Sequence, residues 1–453
     1  MIAGSMGGSI AGLIAAVAAS LLLVAAGWPL ACWLDSERGQ GGRRLGEAYL
    51  LGAAMTAVVL LLLSLLHVAW SRPVLLIALL LVTIGAIAAR GRVRAGIAKP
   101  EISAHWIDLL TLLLVAGYAH FATWAPTVEY DFIGIWGLKA REFWFAQGID
   151  WRFLENPLNE FAHVDYPLLL PLVFDHYAIV AGSWPDRWLG VVNVCYAIST
   201  LLILRSFIAE ETGSWCIAAL ATLAMVSSAL SPWIGLAEGP LVAYGAAGVL
   251  YVRRGVHRGR DGGAADVSRG AIFLAAAAMC KNEGLTLIVA VAAGLLIAGW
   301  YRLVIRLWPA VLTAGGWLVL RSIHHLHGDL TSGSIGSRAL AHLGNLQPMF
   351  EAMQRYPLGR PIFWGGVIAA ILLSARRLVL RERFLASAIL VQLFFFLAAY
   401  LITPHDVAWH VRWSWERILQ QLTVLILFLA FTGLLPAMER SHAVPLPGDL
   451  DET

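Results

Sequence analysis

The sequence predicts an all-α protein that crosses a membrane many times. Of its 453 residues 59% are hydrophobic and only 13% are charged, whereas soluble proteins carry about 25% charged residues. The mean hydropathy is +0.73, and the 19 Trp and 11 Tyr are typical of aromatic belts at membrane surfaces. The net charge of +3 is small, and no basic run alternates with aromatics, which excludes a nucleic-acid-binding protein.

Apolar stretches long enough to cross a bilayer, about 20 residues when untilted, recur along the chain. They are 8–33, 47–69, 73–90, 106–124, 188–207, 215–232, 238–253, 270–284, 285–301, 306–322, 361–376, 385–403 and 418–436. We therefore expect about 13 transmembrane helices, the shorter of which would lie in thinned bilayer, be broken or line a cavity. The first stretch is too long for a signal peptide and lacks a positive flank, so we interpret it as a retained helix.

The most basic short segments set the expected orientation, because Lys and Arg collect on the cytoplasmic side. These segments are 36–44, 90–99, 251–260 and 374–383. Alternation then places 125–187, 233–237, 323–360 and 404–417 outside, and the two long loops among them are where sites usually lie.

One apolar segment, 166–182, does not fit this alternation as a full crossing. It would put the basic 251–260 segment outside, so we expect it to be half-embedded. Its Pro167 and Pro171 and its interior Asp175 and His176 are typical of a broken helix.

The first candidate cluster lies in the first long loop, in PTVEYDFIGIWGLKAREFW (126–144). On a helix over 131–143, Asp131 and Glu142 share a stripe, and Lys139 lies beside it about 12 Å from Asp131. That span suits a base at one end and a phosphate clamp, formed by Lys139 and Arg141, at the other. The alternative is an interfacial helix with snorkelling cations.

Three further segments carry candidate polar groups. Segment 159–171 holds His163, Asp165 and Tyr166, which suit sugar contacts or a loop turn better than a metal. Glu238 precedes a helix expected from Pro240, where an acid is also favoured by the helix dipole. The stretch 323–330 offers His324, His325, His327 and Asp329, and solvated imidazoles are favoured over a metal site because no third ligand of fixed spacing follows.

The turn Lys281-Asn282-Glu283-Gly284 interrupts two apolar runs. Polar side chains between apolar walls indicate a lined cavity, and the alternative is a self-satisfied Lys281–Glu283 pair.

The last cluster lies in TPHDVAWHVRWSWER (403–417). On a helix His410 and Arg417 share one face, while His405 and Arg412 share the neighbouring face. Arginine suits phosphate because its planar fork binds two oxygens. The alternative is an aromatic belt with anchoring arginines.

These motifs, taken in order, resemble the polyprenyl-phosphate-dependent GT-C glycosyltransferases. An acid in the first long loop, a Tyr-Pro-rich segment, the Lys-Asn-Glu-Gly turn and a late Ser-x-x-Arg before the final helix carry the resemblance. It covers roughly 106–436 and is greatest to the bacterial mannosyltransferase and galacturonosyltransferase group that acts on cell-envelope glycans. The acid of such enzymes usually follows the first helix, whereas here about four spans precede it.

The resemblance implies a GT-C-like catalytic core over 106–436, with 1–105 as an added N-terminal transmembrane element and 437–453 as a cytoplasmic tail. Asp131 would be the catalytic base, and Lys281 and Arg417 would lie near the donor phosphate. We assign Lys139, Arg141 and Arg412 to the same phosphate. Substrate contacts are assigned to Glu238, Glu283, His163, Asp165, Tyr166, His405 and His410.

The expected partners are a polyprenyl-phosphate-linked sugar donor, a glycan or glycolipid acceptor, and membrane lipids. The expected location is the bacterial inner membrane, with the site facing the periplasm and sugar transferred with inversion. No cofactor is assigned, and a divalent metal stays open because only Glu238 represents the second acidic motif of many relatives. The alternatives are an envelope polysaccharide ligase or polymerase acting on a lipid diphosphate, and a transporter of lipid-linked sugars. A transporter is disfavoured because its path should line both membrane halves.

Overall fold

A computed structural model describes residues 9–34, 41–89, 105–229, 236–328, 333–344 and 346–433. Within these ranges the regular structure is helical throughout. The helices are α1 (Ser9–Leu34), α2 (Gly41–Leu65), α3 (Arg72–Ala89), α4 (Trp106–Ala122), α5 (Ala125–Val128), α6 (Gly137–Ala146), α7 (Trp151–Glu155), α8 (Leu169–Ala181), α9 (Gly190–Thr212), α10 (Trp215–Ala229), α11 (Glu238–Ala278), α12 (Asn282–Ile297), α13 (Tyr301–Val304), α14 (Trp308–Ile323), α15 (Ile335–Leu343), α16 (Gln347–Gly359), α17 (Pro361–Leu373), α18 (Ala375–Leu380), α19 (Arg383–Ile402) and α20 (Val407–Gly433).

The prediction of an all-α membrane protein is confirmed, whereas the number of about 13 spans is not. Six helical segments in the described chain are long and apolar enough to cross a bilayer: Ile10–Leu34, Gly41–Leu65, Asp186–Thr212, Tyr301–Ile323, Arg383–Ile402 and Val407–Gly433. A seventh is obtained if α16 and α17, bent by 96°, are counted as one span. Several predicted spans are apolar helices of 10–17 residues, shorter than the roughly 20 residues that a crossing needs. The tail 437–453 lies outside the described residues.

Helix α11 is a hairpin whose two arms contain the stretches 238–253 and most of 270–284. Its backbone leaves helical geometry at Gly259, where φ is 73° and ψ is −158°. The two arms then pack so closely that a Cβ on Gly270 would lie 2.6 Å from the carbonyl oxygen of Gly248, a contact that only small residues permit. The hairpin therefore returns the chain to its starting end, and Lys281 reaches Glu238.

Helix α8 lies in the segment 166–182, which we expected to be half-embedded, and the protein itself buries most of it. It has 13 residues, about 20 Å, which is too short to cross a bilayer. It packs against α1, α2 and α6, and its first N–H donates to the carbonyl of Met279 at 2.8 Å. Asp175 is fully buried, and its carboxyl oxygens have no hydrogen-bond partner among the described residues. The backbone bond ties the loop before α8 to the end of the α11 hairpin.

The described part of the N-terminal segment shares its core with the rest of the chain. Helices α1 and α2 pack on each other through close contacts at Gly27 and Gly52, and both also pack against α8 and α9. Buried residues of α1 and α2 belong to the same hydrophobic cluster as those of α9, α11 and α20.

Three of the four basic segments that the orientation argument placed on one side meet in the structure. Arg43 lies 2.6 Å from Glu210 and Arg377 lies 2.8 Å from Glu211, while Arg253 binds Glu382. We call this group the Arg253 cluster; it comprises Arg43, Glu210, Glu211, Arg253, Arg254, Asp266, Arg377 and Glu382. The fourth segment, 90–99, lies outside the described residues.

The Arg253 cluster is at one end of the bundle, and polar residues from the predicted outer loops gather at the other. Glu238 and Arg253 are separated by about 15 residues of one α11 arm, which is about 22 Å along the helix axis. In α20 a similar length separates Arg417 from Thr432, whose carbonyl accepts a hydrogen bond from Arg377. The two charged ends thus lie about 22 Å apart along these helices, which is less than the thickness of a bilayer core, about 30 Å.

Candidate functional site

Five side chains from four separate parts of the sequence form a continuous ion-pair network. Nη2 of Arg417 lies 2.7 Å from Oδ2 of Asp131 and 2.9 Å from Oε1 of Glu238. Nζ of Lys281 lies 2.9 Å from the same Glu238 oxygen and 2.8 Å from Oε1 of Glu283. We call these five residues the Arg417 cluster. It joins Asp131 to Arg417 across 286 positions of sequence.

The ends of helices position these side chains. Glu238 opens α11, Lys281 is in extended backbone between α11 and α12, and Glu283 lies in the first turn of α12. Arg417 projects from α20, about three turns from its start. The loop, the hairpin and α20 therefore converge on one point at the same end of the bundle.

The backbone after Asp131 differs from the predicted α-helix over 131–143. Phe132–Trp136 forms a π-helical turn, and α6 begins only at Gly137. A π turn bonds residue i to i+5 and changes the phase of the side chains, so the predicted stripe from Asp131 to Glu142 is wrong. Asp131 turns to Arg417 instead, while Lys139 points into the protein.

The Arg417 cluster is partly open and has unused hydrogen-bonding capacity. The side chains of Asp131 and Arg417 are 20% and 27% exposed, whereas that of Glu238 is 1% exposed. Oε2 of Glu238 and Oε2 of Glu283 are buried and have no partner among the described residues. A buried acceptor without a partner costs about 1–3 kcal/mol. The cluster is therefore suited to receive another hydrogen-bond donor at these oxygens.

A second polar network begins at Asn282, next to Lys281. Its side-chain amide donates to Oδ2 of Asp165 at 2.8 Å, and Nη1 of Arg321 lies 3.6 Å from the same oxygen. Burial raises the pKa of Asp165, while Arg321 and the Asn282 bond oppose the shift. The loop that carries Asp165 is thus tied to both α14 and the turn after the hairpin.

Lys139 is buried beside the loop that carries Asp165. Its side chain is fully buried, and Nζ donates to the carbonyl of His163 at 2.9 Å and lies 4.7 Å from the Trp136 ring centroid. Burial lowers the pKa of Lys139 to about 7, although Asp165 acts in the opposite direction.

Tyr166 lies between Lys139 and Lys281 of the Arg417 cluster. Its ring centroid lies 5.9 Å from Nζ of Lys139 and 5.8 Å from Nζ of Lys281, and the His163 ring stacks on it at 4.7 Å. The predicted substrate residues His163, Asp165 and Tyr166 therefore lie beside the Arg417 cluster.

Other predicted site residues are not in the Arg417 cluster. Arg141 is exposed and lies over the Phe145 ring, and Arg412 is exposed with Nε bonded to the carbonyl of Ala408 in its own helix. His405 is exposed, and Nδ1 of His410 bonds to Thr403 at 2.8 Å. The structure thus gathers two of the five predicted phosphate ligands, Lys281 and Arg417, and leaves Lys139, Arg141 and Arg412 outside.

The histidines before α15 make surface contacts. His324 stacks on Trp151 at 3.7 Å and bonds to Glu155 at 2.7 Å, and His327 is exposed. Asp329 lies outside the described residues.

Among the described residues, the group with suitable spacing for a metal ion is Glu211, His257 and Glu382. The four carboxylate oxygens of the two acids already bind Arg253 and Arg377. A cation at this place would have to displace the two guanidinium groups.

Sequence reasoning missed two contributors at the site. Arg321 lies in the last turn of the apolar helix α14, where an ionisable residue is a signal that could have been used. Gln392 lies inside α19 and donates to the Glu283 carbonyl and to Thr286. With Glu283 and Gln421 it lines a small cavity, and each of these three carries a buried polar atom without a partner among the described residues.

No family model, no curated protein and no solved structure matches this chain. The class is therefore defined by the fold and the charges: an all-α membrane protein with several membrane-spanning helices and a partly open ion-pair network at one end.

Proposed function

We propose that this chain is a membrane glycosyltransferase that takes a sugar from a polyprenyl-phosphate-linked donor and transfers it to a cell-envelope glycan or lipid. The observation that carries the proposal is the meeting of Asp131 with Arg417 and Lys281 through Glu238. A carboxylate and two cations, partly open at a helix-bundle end, provide both a base and a site for an anionic leaving group.

Arg417 suits a phosphate because its partners do not enclose it, whereas Lys281 is already paired with Glu238 and Glu283 and adds positive charge beside it. Arg417 keeps part of its side chain exposed, and its Nη1 has no hydrogen-bond partner among the described residues. Arginine binds phosphate through two parallel N–H bonds, and lysine adds a point charge. Positive groups fixed where negative charge develops stabilise a transition state strongly.

The proposed reaction is a single inverting displacement. The acceptor hydroxyl oxygen forms a bond to C1 of the sugar while the bond from C1 to the phosphate oxygen breaks. Asp131 takes the acceptor proton, and the electron pair of the broken bond stays on the polyprenyl phosphate, which leaves as a monoester. Arg417 and Lys281 offset the charge that develops there.

The residues beside the cluster are proposed to contact the sugar. His163 and Tyr166 present stacked aromatic rings next to Lys281, and Glu283 has an unused carboxylate oxygen. We further propose that the site faces the periplasm of a bacterial inner membrane, because the Arg253 cluster gathers the basic segments at the opposite end.

The test is a transfer assay with the purified full chain in lipid nanodiscs. A panel of radiolabelled polyprenyl-phosphate sugars is supplied with and without chelator, and both transfer to glycolipid and release to water are measured. We expect one donor to be consumed. If no donor is consumed in either condition, the glycosyltransferase proposal is wrong, and the chelator arm shows whether a divalent metal is needed.

The two roles are separated by donor binding. Arg417→Ala should weaken binding of the consumed donor about tenfold or more, because a charge-assisted bond contributes about 1.5–3 kcal/mol. Asp131→Ala should leave donor binding unchanged or tighten it by up to about fivefold, since the acid is proposed to act on the acceptor and its pair with Arg417 contributes at most about 1 kcal/mol. The reverse pattern would overturn the assignment of roles.

A further inference from the structure

Arg417 binds two carboxylates, of Glu238 and of Asp131, which differ in burial and in the number of their other partners. Glu238 is buried, and its Oε1 also binds Lys281 at 2.9 Å. Asp131 is partly exposed, and Arg417 is its one side-chain partner among the described residues. An anion that competes for Arg417 will therefore displace Asp131 and leave Glu238 in place.

The competition is energetically feasible. A partly exposed ion pair contributes about 0.2–1 kcal/mol, whereas a phosphate on an arginine fork gains two charge-assisted bonds. Nη1 of Arg417 has no partner among the described residues, and a phosphate that binds Nη1 and Nη2 together competes with Asp131 for Nη2. Glu238 keeps the guanidinium in place while Asp131 leaves.

We infer that Arg417 couples phosphate binding to release of the Asp131 carboxylate. In the empty site Oδ2 of Asp131 accepts a hydrogen bond from Arg417, which holds the carboxylate against the guanidinium. A phosphate group that binds Arg417 frees this oxygen, so that the Asp131 carboxylate can turn to the acceptor once the donor is bound. The inference rests on the proposed function for its catalytic meaning, but the exchange of partners can be measured without turnover.

The experiment measures labelling of Asp131 by a water-soluble carbodiimide and an amine, read by mass spectrometry on the full chain in nanodiscs. The added probes are a polyprenyl monophosphate, inorganic phosphate and the uncharged polyprenol. Asp406, an exposed carboxylate just before α20, is the internal control. We expect polyprenyl monophosphate to raise Asp131 labelling at least threefold, polyprenol to leave it unchanged, and Asp406 labelling to stay constant.

The inorganic phosphate arm identifies the source of the phosphate. A rise at millimolar inorganic phosphate shows that the headgroup alone releases Asp131, and a rise with the lipid alone shows that the polyprenyl chain is needed; both outcomes support the inference.

Two variants test the part played by Arg417. In Arg417→Gln, Asp131 labelling should be high without any probe and should not respond to polyprenyl monophosphate. Arg360→Gln is the matched control, because Arg360 pairs with Glu416, the neighbour of Arg417, at 3.4 Å; it should keep the response.

The outcomes separate the inference from the proposed function. Sugar transfer by the wild-type chain with no change in Asp131 labelling overturns the inference alone. A labelling response without consumption of any donor overturns the proposed function and leaves the exchange as a response to lipid phosphate. Absence of both overturns both.

Discussion

At the Arg253 cluster, both carboxylate oxygens of Asp266 and of Glu382 bind arginine nitrogens. At the Arg417 cluster, Oε2 of Glu238 and of Glu283 has no partner among the described residues. The arginine side chains also differ, since that of Arg253 is 4% exposed and that of Arg417 is 27% exposed. The Arg253 cluster is not fully paired either, since Nε of Arg377 is buried without a partner among the described residues and the Glu210 side chain is 38% exposed. The two ends therefore differ in their buried carboxylates, which are saturated at the Arg253 cluster and have unused oxygens at the Arg417 cluster.

The difference indicates which end is structural and which is functional. Buried arginine pairs with two parallel bonds join the two arms of α11 and tie α11 to the start of α19, but they leave little capacity for another molecule. A network with unpaired acceptors and partial exposure is less stable in isolation, and such groups concentrate at binding sites. Changes at the Arg253 cluster should therefore act on stability, and changes at the Arg417 cluster on activity.

The largest expected effect is on catalysis by Asp131→Asn. Loss of the base should lower the rate of sugar transfer about 1,000-fold, while the unfolding midpoint changes little because Arg417 keeps Glu238. The rate is measured with the consumed donor, and Asp406→Asn is the matched control, since an amide can still cap α20. Turnover that survives in Asp131→Asn would favour the ligase or polymerase alternative, which needs no acidic base.

The next largest effect is on stability, from Arg253→Ala. This change leaves the buried carboxylate of Glu382 without its two arginine bonds, and breaking a buried pair costs about 3–5 kcal/mol. Unfolding is followed by a thiol-reactive dye that reports exposure of the buried Cys32 and Cys280, in a Cys216→Ser background that removes the exposed thiol. Arg417→Ala in the same background should lower the midpoint less; an equal or larger fall would contradict the distinction between the two ends.

The helices of this fold could be predicted well from sequence because apolar length is a local property. The stretches 8–33, 106–124 and 385–403 correspond closely to α1, α4 and α19. Counting crossings was harder, since whether a helix of 13–17 residues spans, breaks or pairs depends on neighbours that are distant in sequence. The glycine contacts that fold α11 into a hairpin are of this kind.

The residues of the site could largely be predicted from sequence, whereas the contacts between their side chains could not. Asp131, Lys281 and Arg417 were singled out because ionisable residues beside apolar runs are costly, and the structure brings all three together through Glu238. The direction of Lys139 was not predictable, because the π-helical turn before it changes the phase of α6. Sequence periodicity assumes a regular helix and cannot report such a turn.

A smaller effect is expected from Lys139→Met, and it depends on pH. Because burial lowers the folded pKa of Lys139 to about 7, the native chain binds fewer protons than the unfolded chain between about pH 7 and pH 10. The wild type should therefore gain stability as pH rises through this window. Met removes the buried charge, so it should stabilise the chain by about 1–2 kcal/mol at pH 6.

The advantage of Lys139→Met should shrink as pH rises and disappear near pH 10, which the dye assay can follow at a series of pH values. Leu in place of Lys139 should behave in the same way, because the effect comes from the charge rather than from a particular shape. An advantage that does not change with pH would show that Lys139 keeps its proton in the folded chain throughout this window and that packing accounts for the change.

The smallest effects are expected for Arg412→Ala and Arg141→Ala, which the sequence had grouped with the donor phosphate. Both side chains are exposed, and Arg412 bonds only within its own helix among the described residues, so the unfolding midpoint should stay within about 1 °C of wild type. Donor binding should change less than about twofold, because an exposed charge that does not touch the ligand is screened by salt. A tenfold loss of donor binding in either variant would extend the phosphate site beyond Arg417 and Lys281. The donor phosphate would then be bound by exposed side chains as well as by the Arg417 cluster, and these side chains would have to move toward the donor when it binds.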